Sequence, residues 1–323
     1  MLLVVVEHDR GVMAAATEDA LGFARSLGDD VHALWIGEAA DELASQLGAR
    51  GVAVVHQAHH DLLRDYGPEA WGEVIVQAVQ RLAPDAVLAT GTDRGNEMLA
   101  QAAARLDAPF AANCTAAERN GEWAITRVRW GGSLLEHATL DAPTAILSVA
   151  LHTFDPAGVA VATATAAQPL IEPFTPELAA ELARTLVRDR IERQAGITLA
   201  TAPVVVGGGR GVGSAEGFAV LEELAGALGG VVGCSRAVTN NGWRNHTDQV
   251  GQTGTRIAPD LYIACGISGA IQHWVGAMAS KHILAINTDP EANMVVKADS
   301  AVIGDLHEVV PAITAELHRR HPR

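Results

Sequence analysis

Cysteine is scarce in this 323-residue chain, and Cys114, Cys234 and Cys265 lie far apart with no Cys-x-x-Cys pair. That spacing excludes a disulfide framework and leaves three reduced core thiols. Basic residues are outnumbered, 23 Lys and Arg against 38 Asp and Glu, for a net charge of −15. A nucleic-acid partner needs a basic face and is excluded. The acidic balance favours solubility and docking to basic patches on other proteins. Apolar runs are short, and none approaches the roughly 20 residues that span a bilayer, so the chain is not expected to be membrane-embedded. Leu2-Leu3-Val4-Val5-Val6 before Glu7 is too short for a signal peptide and has no basic flank, which gives the expectation of a cytoplasmic protein. With 49% hydrophobic and only 19% charged residues, the chain reads as a packed globular protein rather than a disordered one. Its length allows two domains with full cores.

The first half alternates apolar runs with amphipathic stretches: strands at Leu2–Val6, Val31–Ile36, Val52–Val55 and Ala86–Ala89, helices at Ala14–Leu27, Ala39–Leu47, Glu69–Leu82 and Asn96–Leu106. Such alternation implies a parallel sheet flanked by helices. Between Asn113 and Thr165 the pattern changes. Strands at Ala124–Trp130, Ala145–Ala150 and Val159–Thr165 read as an antiparallel or mixed addition. Pro169, Pro173 and Pro176 break the chain, and Glu177–Gln194 reads as a charged helix. The boundary falls between Ile171 and Ala202, and α/β alternation restarts at Val204–Val206. The fold class is therefore α/β with two domains, 1–190 and 200–323, each a mainly parallel sheet flanked by helices.

In the second domain, Gly251-Gln252-Thr253-Gly254 is a tight polar loop bounded by glycines. Farther on, the strand Leu261–Cys265 ends in Gly266-Ile267-Ser268-Gly269 and opens a helix through Ala270, Ile271, Gln272 and His273. A strand leaving through small residues into a helix aims backbone N–H groups and a hydroxyl at one spot, which is how proteins hold a pyrophosphate. Arg210, Ser235, Arg236, Ser268, Asn287 and Asp305 all fall at or just past the carboxyl ends of strands, where open α/β sheets bind ligands. The run Gly207–Ser214 follows a strand and precedes a helix, yet no register of it yields Gly-x-Gly-x-x-Gly. No acidic residue follows the next strand to take a ribose hydroxyl; Ser235 and Arg236 stand there instead. The loop speaks for a nucleotide and poorly for NAD. His56, His59 and His60 lack acidic or cysteine partners at usable spacing, so no metal site is expected. Asp93-Arg94-Gly95-Asn96-Glu97 reads as helix capping, and no Ser-His-Asp set is present.

These motifs carry a resemblance. The C-terminal domain resembles the α subunit of electron transfer flavoproteins through Gly208-Gly209-Arg210-Gly211, Ser235-Arg236-Ala237, Gly242-Trp243, Val250-Gly251-Gln252-Thr253-Gly254, Ala258–Ala264, Gly266–His273, Ala285-Ile286-Asn287, Asp289-Pro290-Glu291-Ala292 and Gly304-Asp305-Leu306. The N-terminal half adds Val4–His8, Ala102–Pro109, and Thr126-Arg127 before Gly131-Gly132. The resemblance implies a Rossmann-like C-terminal domain holding extended FAD, and an N-terminal domain that packs with a smaller β subunit. It implies FAD contacts from Arg210, Ser235, Arg236, Val250, Gly251, Gln252, Thr253, Ser268, Gly269, Ala270, Ile271, Gln272, His273, Asn287, Asp305 and Leu306. Among these, Thr253 would meet flavin N5, His273 the pyrimidine O2 and Arg236 the isoalloxazine ring. Ser268 and its turn would take the pyrophosphate, Asn287 and Asp305 the adenosine half. Arg236 is then expected to favour electron-rich states of the ring by charge and stacking, and His273 by a hydrogen bond to a ring oxygen.

The implied role is an electron carrier rather than a substrate-converting enzyme, taking electrons from dehydrogenases such as acyl-CoA dehydrogenases and passing them to a quinone oxidoreductase. Rival readings are an NADP-binding module, with Arg236 on the 2′-phosphate, and a flavin-bifurcating variant with a second FAD in the partner. Two departures from the family pattern stand out: Thr239-Asn240-Asn241 where an acidic residue is usual before Gly-Trp, and Asn293 in place of a proline.

Overall fold

A strand buried on both faces must be apolar at every position, and β1 (Leu2–Val5) is buried along its whole length in the computed structural model. The structure describes residues 1–28, 30–38, 41–154, 168–188 and 197–320. Contacts divide the chain into two units, Met1–Trp130 with Leu134–Glu192, and Gly131–Ser133 with Arg193–Arg323.

In the first unit, β1 is followed by a small antiparallel hairpin, β2 (His8–Asp9) and β3 (Val12–Met13). Then come α1 (Thr17–Leu27), β4 (Val31–Ile36), α2 (Asp41–Ala49), β5 (Val54–Ala58), α3 (Pro68–Leu82), β6 (Ala86–Thr90) and α4 (Asp93–Leu106). The unit continues through β7 (Phe110–Asn120), β8 (Glu122–Arg129), β9 (Leu134–Leu140), β10 (Ala145–Val149) and β11 (Leu170–Phe174). Among the described residues these strands form a nine-stranded sheet in the order β11-β5-β4-β1-β6-β10-β7-β8-β9. It is parallel from β11 to β7 and antiparallel across β7, β8 and β9. Alternation along β1 and β4 splits the core: Leu2, Val4, Ala33 and Trp35 pack with α1 and α2 on one face, Leu3, Val5, Leu34 and Ile36 with α3 and α4 on the other. Local chemistry sets the helix ends. Pro68 opens α3 and Thr92 caps α4, its Oγ1 accepting from the Gly95 amide at 2.9 Å.

Several expectations are corrected here. Ala145–Ala150 was expected to alternate with period two in an antiparallel or mixed addition; the addition is mixed, but β10 runs parallel between β6 and β7 and is buried at all five positions rather than alternating. Pro173 was expected to break the chain, yet β11 pairs through it with β5, because an edge strand can lose one donor without losing its ladder. Over 177–188 the expected charged helix is reduced to a single 3₁₀ turn at Ala180–Leu182. The remainder of that segment and the expected strand Val159–Thr165 lie outside the described residues.

The second unit is built from β12 (Val204–Gly208), α5 (Ala219–Ala227), β13 (Val231–Cys234), α6 (Arg236–Asn240), β14 (Leu261–Cys265), α7 (Ile271–Ala277), β15 (His282–Asn287), α8 (Asn293–Lys297), β16 (Ser300–Ile303) and α9 (Leu306–Arg320). The sheet is all parallel, in the order β13-β12-β14-β15-β16. Val206 and Ile263 pack with α5 and α9 on one face; Val205, Tyr262 and Ile283 pack with α7 and α8 on the other. The expected helix Ser214–Leu228 starts late. The glycine-rich run after β12 forms two 3₁₀ turns, Arg210–Val212 and Glu216–Phe218, and α-helix begins only at Ala219.

Candidate functional site

The chain leaves the neighbouring strands β12 and β14 toward opposite edges of the sheet, which makes their carboxyl ends a topological switch point. The two departing loops are pinned together. Gly209 N–H donates to the Cys265 carbonyl at 2.9 Å and Gly211 N–H to the Gly266 carbonyl at 3.1 Å. Glycine is required at 209, where a Cβ would come within 2.1 Å of the Gly266 oxygen. A cleft of about 760 Å³ opens above them, within the usual size range for a small-molecule site. It is lined by Arg210 after β12, Ser235 and Arg236 at the start of α6, Ser268, Gly269 and Ala270 after β14, Gln272 and His273 on α7, Asn287 after β15, and Asp305 and Leu306 after β16.

Five predicted residues, Val250, Gly251, Gln252, Thr253 and Ile271, do not line this cleft. Four of them form a loop fixed to the same helix: Gln252 N–H donates to the Gln272 carbonyl at 2.7 Å. Gly276 permits the contact, since a Cβ there would lie 2.3 Å from the Gly251 Cα. Thr253 is exposed, and its Oγ1 accepts from Gln249 Nε2 at 3.0 Å. The structure therefore brings the predicted residues into two adjoining groups, a cleft and a polar loop on one helix.

Electrostatics favour an anion in the cleft. Arg210 and Arg236 are exposed, and neither forms an ion pair among the described residues. The amides of Ser268, Gly269 and Ala270 donate to no other backbone group among the described residues. Those of Ile271 and Gln272 begin α7, where no intrahelical acceptor exists. Ser235 sits at the N-cap of α6 without using its hydroxyl as a cap. Other side chains are committed to the chain itself. Asn287 Nδ2 donates to the Ile267 carbonyl at 3.0 Å, and its Oδ1 accepts from the Asp289 amide at 3.1 Å. Asp305 Oδ1 accepts from the His307 amide at 2.9 Å, capping α9.

His273 is buried, with Nε2 2.8 Å from the Tyr262 hydroxyl. Burial pushes its pKa down to about 4, against a smaller opposing effect of the Val250 backbone. In the chain by itself the imidazole is therefore neutral at pH 7, and Arg236 is the cation of the pair. His273 Nδ1 is buried with no partner at hydrogen-bonding geometry. Tyr262, Gln249 and Thr239 were missed. Tyr262 reads as an ordinary strand residue, while Thr239 reaches Gln249, and Gln249 reaches Thr253, only because the chain folds back.

His32, His56 and His60 are engaged within the first unit. His56 lies between His32 at 2.9 Å and Glu172 at 3.3 Å, and His60 Nδ1 accepts from the Leu62 amide. Among the described residues no helix is long and apolar enough to cross a membrane.

An extended dinucleotide needs cations and free amides for its phosphates and polar groups at its ring end. Two unpaired arginines, a run of free amides and an orphaned imidazole nitrogen fit FAD. Comparison with known proteins agrees. Residues 198–278 match the electron transfer flavoprotein FAD-binding domain, and residues 2–181 the electron transfer flavoprotein domain. The electron transfer flavoprotein subunit alpha of Thermoanaerobacterium thermosaccharolyticum is 33% identical, over 98% of this chain and 97% of that one. The subunit alpha of Bacillus subtilis is 34% identical over 98% and 96%, and the protein FixB of Clostridium saccharobutylicum 34% identical over 97% and 95%. The chain belongs to the α subunits of the electron transfer flavoproteins, and its C-terminal unit is an FAD-binding domain with an electron transfer role.

Proposed function

We propose that this chain pairs through its N-terminal domain, 1–190, with a β subunit in the cytoplasm and carries electrons on FAD held by its C-terminal domain, 200–323. The donors in this reading are dehydrogenases, acyl-CoA dehydrogenases of fatty acid β-oxidation among them, and the acceptor is a quinone oxidoreductase. The observation that carries the reading is the switch-point cleft, where two unpaired arginines and a row of free amides share a wall with a buried histidine.

Each side chain has a role that follows from its place. Arg210, Ser268 and the amides of the Ser268–Gln272 turn would bind the pyrophosphate, since charge and N–H groups converge there. Ser235 offers an unused hydroxyl beside them, and Asp305 and Leu306 close the far end of the cleft near Asn287. Arg236 would hold the isoalloxazine ring and favour electron density on it. The Val250–Thr253 loop, clamped to α7, would place the Thr253 hydroxyl at ring atom N5. His273 would meet the pyrimidine edge as a neutral partner. Bound FAD would supply the redox chemistry, taking up and releasing electrons through its ring. The chain contributes binding, orientation and charge, which suits a carrier rather than a substrate-converting enzyme.

The test is to purify the chain with a candidate β subunit and record its visible spectrum during stepwise reduction, with dithionite and then with an acyl-CoA dehydrogenase and its substrate. A yellow complex bleached by both supports the reading. A colourless complex that binds NADPH overturns it.

A further inference from the structure

Thr239 is joined to Thr253 through one buried amide. Thr239 Oγ1 lies 2.8 Å from Gln249 Oε1, and Gln249 Nε2 lies 3.0 Å from Thr253 Oγ1. Gln249 is 1% exposed and Thr239 9%. The Thr239 hydroxyl has a second acceptor, the Arg236 carbonyl at 3.0 Å, but a hydroxyl carries only one proton. The link therefore has two complete hydrogen-bond arrangements.

In the first, Thr239 donates to Gln249 Oε1, Gln249 Nε2 donates to Thr253, and the Thr253 proton is left to point away from the relay. In the second the amide is turned end for end. Thr239 donates to the Arg236 carbonyl, Gln249 Nε2 donates to Thr239, and Thr253 donates to Gln249 Oε1, presenting a lone pair outward. No proton changes owner between the two, and in each the Thr239 hydroxyl and one Gln249 N–H have an acceptor. An amide's two ends are nearly equal in shape, so the reversal needs no repacking.

We propose that Thr239 and Gln249 are positioning residues forming a reversible relay, which lets Thr253 donate to an unprotonated ring nitrogen and accept from the same nitrogen once it carries hydrogen. This rests on the reading that Thr253 meets the flavin ring. With the amide fixed in one sense, Thr253 would keep the same bond to Gln249 in both redox states and face the ring best in only one of them. The relay satisfies both.

The test uses the FAD-loaded complex with the β subunit and reads flavin midpoint potentials in a double-mutant cycle of Thr239→Val and Thr253→Val, with Thr239→Ser as the conservative control. Thr239→Val is expected to change the relative binding of oxidised and reduced FAD roughly fivefold, about 40 mV for one electron. Thr239→Ser should restore the wild-type value, and Thr239→Val should have no effect once Thr253 is valine. Additive shifts, or no shift in a complex that holds FAD normally, would overturn the relay while leaving the FAD reading intact. A complex that binds no FAD would overturn the reading on which the relay rests. In the unmutated complex, nuclear Overhauser contacts of the Gln249 side-chain N–H₂ should move from Thr253 to Thr239 on reduction. Contacts that stay in place overturn the proposal even if the valine variant does not assemble.

Discussion

The Tyr262 hydroxyl lies 2.8 Å from His273 Nε2, and both side chains are buried. Burial raises the Tyr262 pKa well above its ordinary value and lowers that of His273, so both are neutral and share one proton between oxygen and nitrogen. No other acceptor stands beside the Tyr262 hydroxyl among the described residues. The hydroxyl therefore donates to Nε2 and fixes the Nδ1–H tautomer. Tyr262→Phe leaves Nε2 unmatched, a loss of roughly 1–3 kcal/mol. The variant should show a lower melting temperature, and the nitrogen-15 shifts of His273 should report a protonated Nδ1 in wild type and a mixture in the variant. A single tautomer in both would refute the assignment.

A histidine with a depressed pKa makes stability depend on acid in one direction only. Above the unfolded value of about 6.5 the imidazole is neutral in both states. As pH falls below that value the unfolded chain takes up a proton that folded His273, with its pKa of about 4, refuses. Its contribution, up to roughly 3 kcal/mol, is thus complete above about pH 6.5 and lost as pH falls toward 4. Urea unfolding at pH 7, 5.5 and 4.5, followed for wild type and His273→Gln, measures this. The variant should have a flatter profile across that window, and parallel profiles would show that another group governs the acid response.

Much of the fold was legible because burial on both faces writes itself into the sequence. β1 and β14 are continuous apolar runs and β4 is apolar except at His32, and their boundaries agree with expectation within a residue or two. β7 and β9 were not legible, since their exposed faces carry residues such as Glu118 and Glu136 and no apolar stripe marks them. The helices α6 and α8 span five residues each, too few to display a helical period. At the site, the glycines and the turn from Ser268 to His273 announced a ligand because their chemistry is local. The Thr239–Gln249–Thr253 link was hidden, because it depends on how two loops fold back on each other. The neutrality of His273 was hidden for the same reason: it follows from the packing of the Val250–Gly254 loop on α7.

Arg210 and Arg236 form no ion pair among the described residues, so their contribution should fall on the ligand. A charge-assisted bond to phosphate contributes about 1.5–3 kcal/mol, so Arg210→Ala should weaken FAD binding roughly tenfold to a hundredfold. Flavin fluorescence on dilution of the complex reads the released fraction. Arg210→Lys should recover part of the loss, since charge is kept and the planar fork is not. The defect should shrink with salt, which screens the charge that only the wild type supplies. Equal retention of FAD by wild type and Arg210→Ala would remove this residue from the phosphate site.

Gly276 offers a test in which helix propensity and packing oppose each other. It lies inside α7, where alanine is favoured over glycine by about 1 kcal/mol. Propensity alone would make Gly276→Ala stabilising. The added Cβ, however, would lie 2.3 Å from the Gly251 Cα and 2.4 Å from its nitrogen, and backbone cannot yield as a flexible side chain can. Overpacking of this kind typically costs about 1–3 kcal/mol, enough to outweigh the helical gain. The loop from Val250 to Gly254 should lift from α7, breaking the bond from Gln252 to the Gln272 carbonyl and displacing Thr253 with it. Gly276→Ala should therefore reduce bound FAD, measured as the 450 nm to 280 nm absorbance ratio of the purified complex, while amide exchange in β1, β4 and β6 stays as in wild type. A variant that is more stable and fully loaded with FAD would show that the loop does not need its clamp.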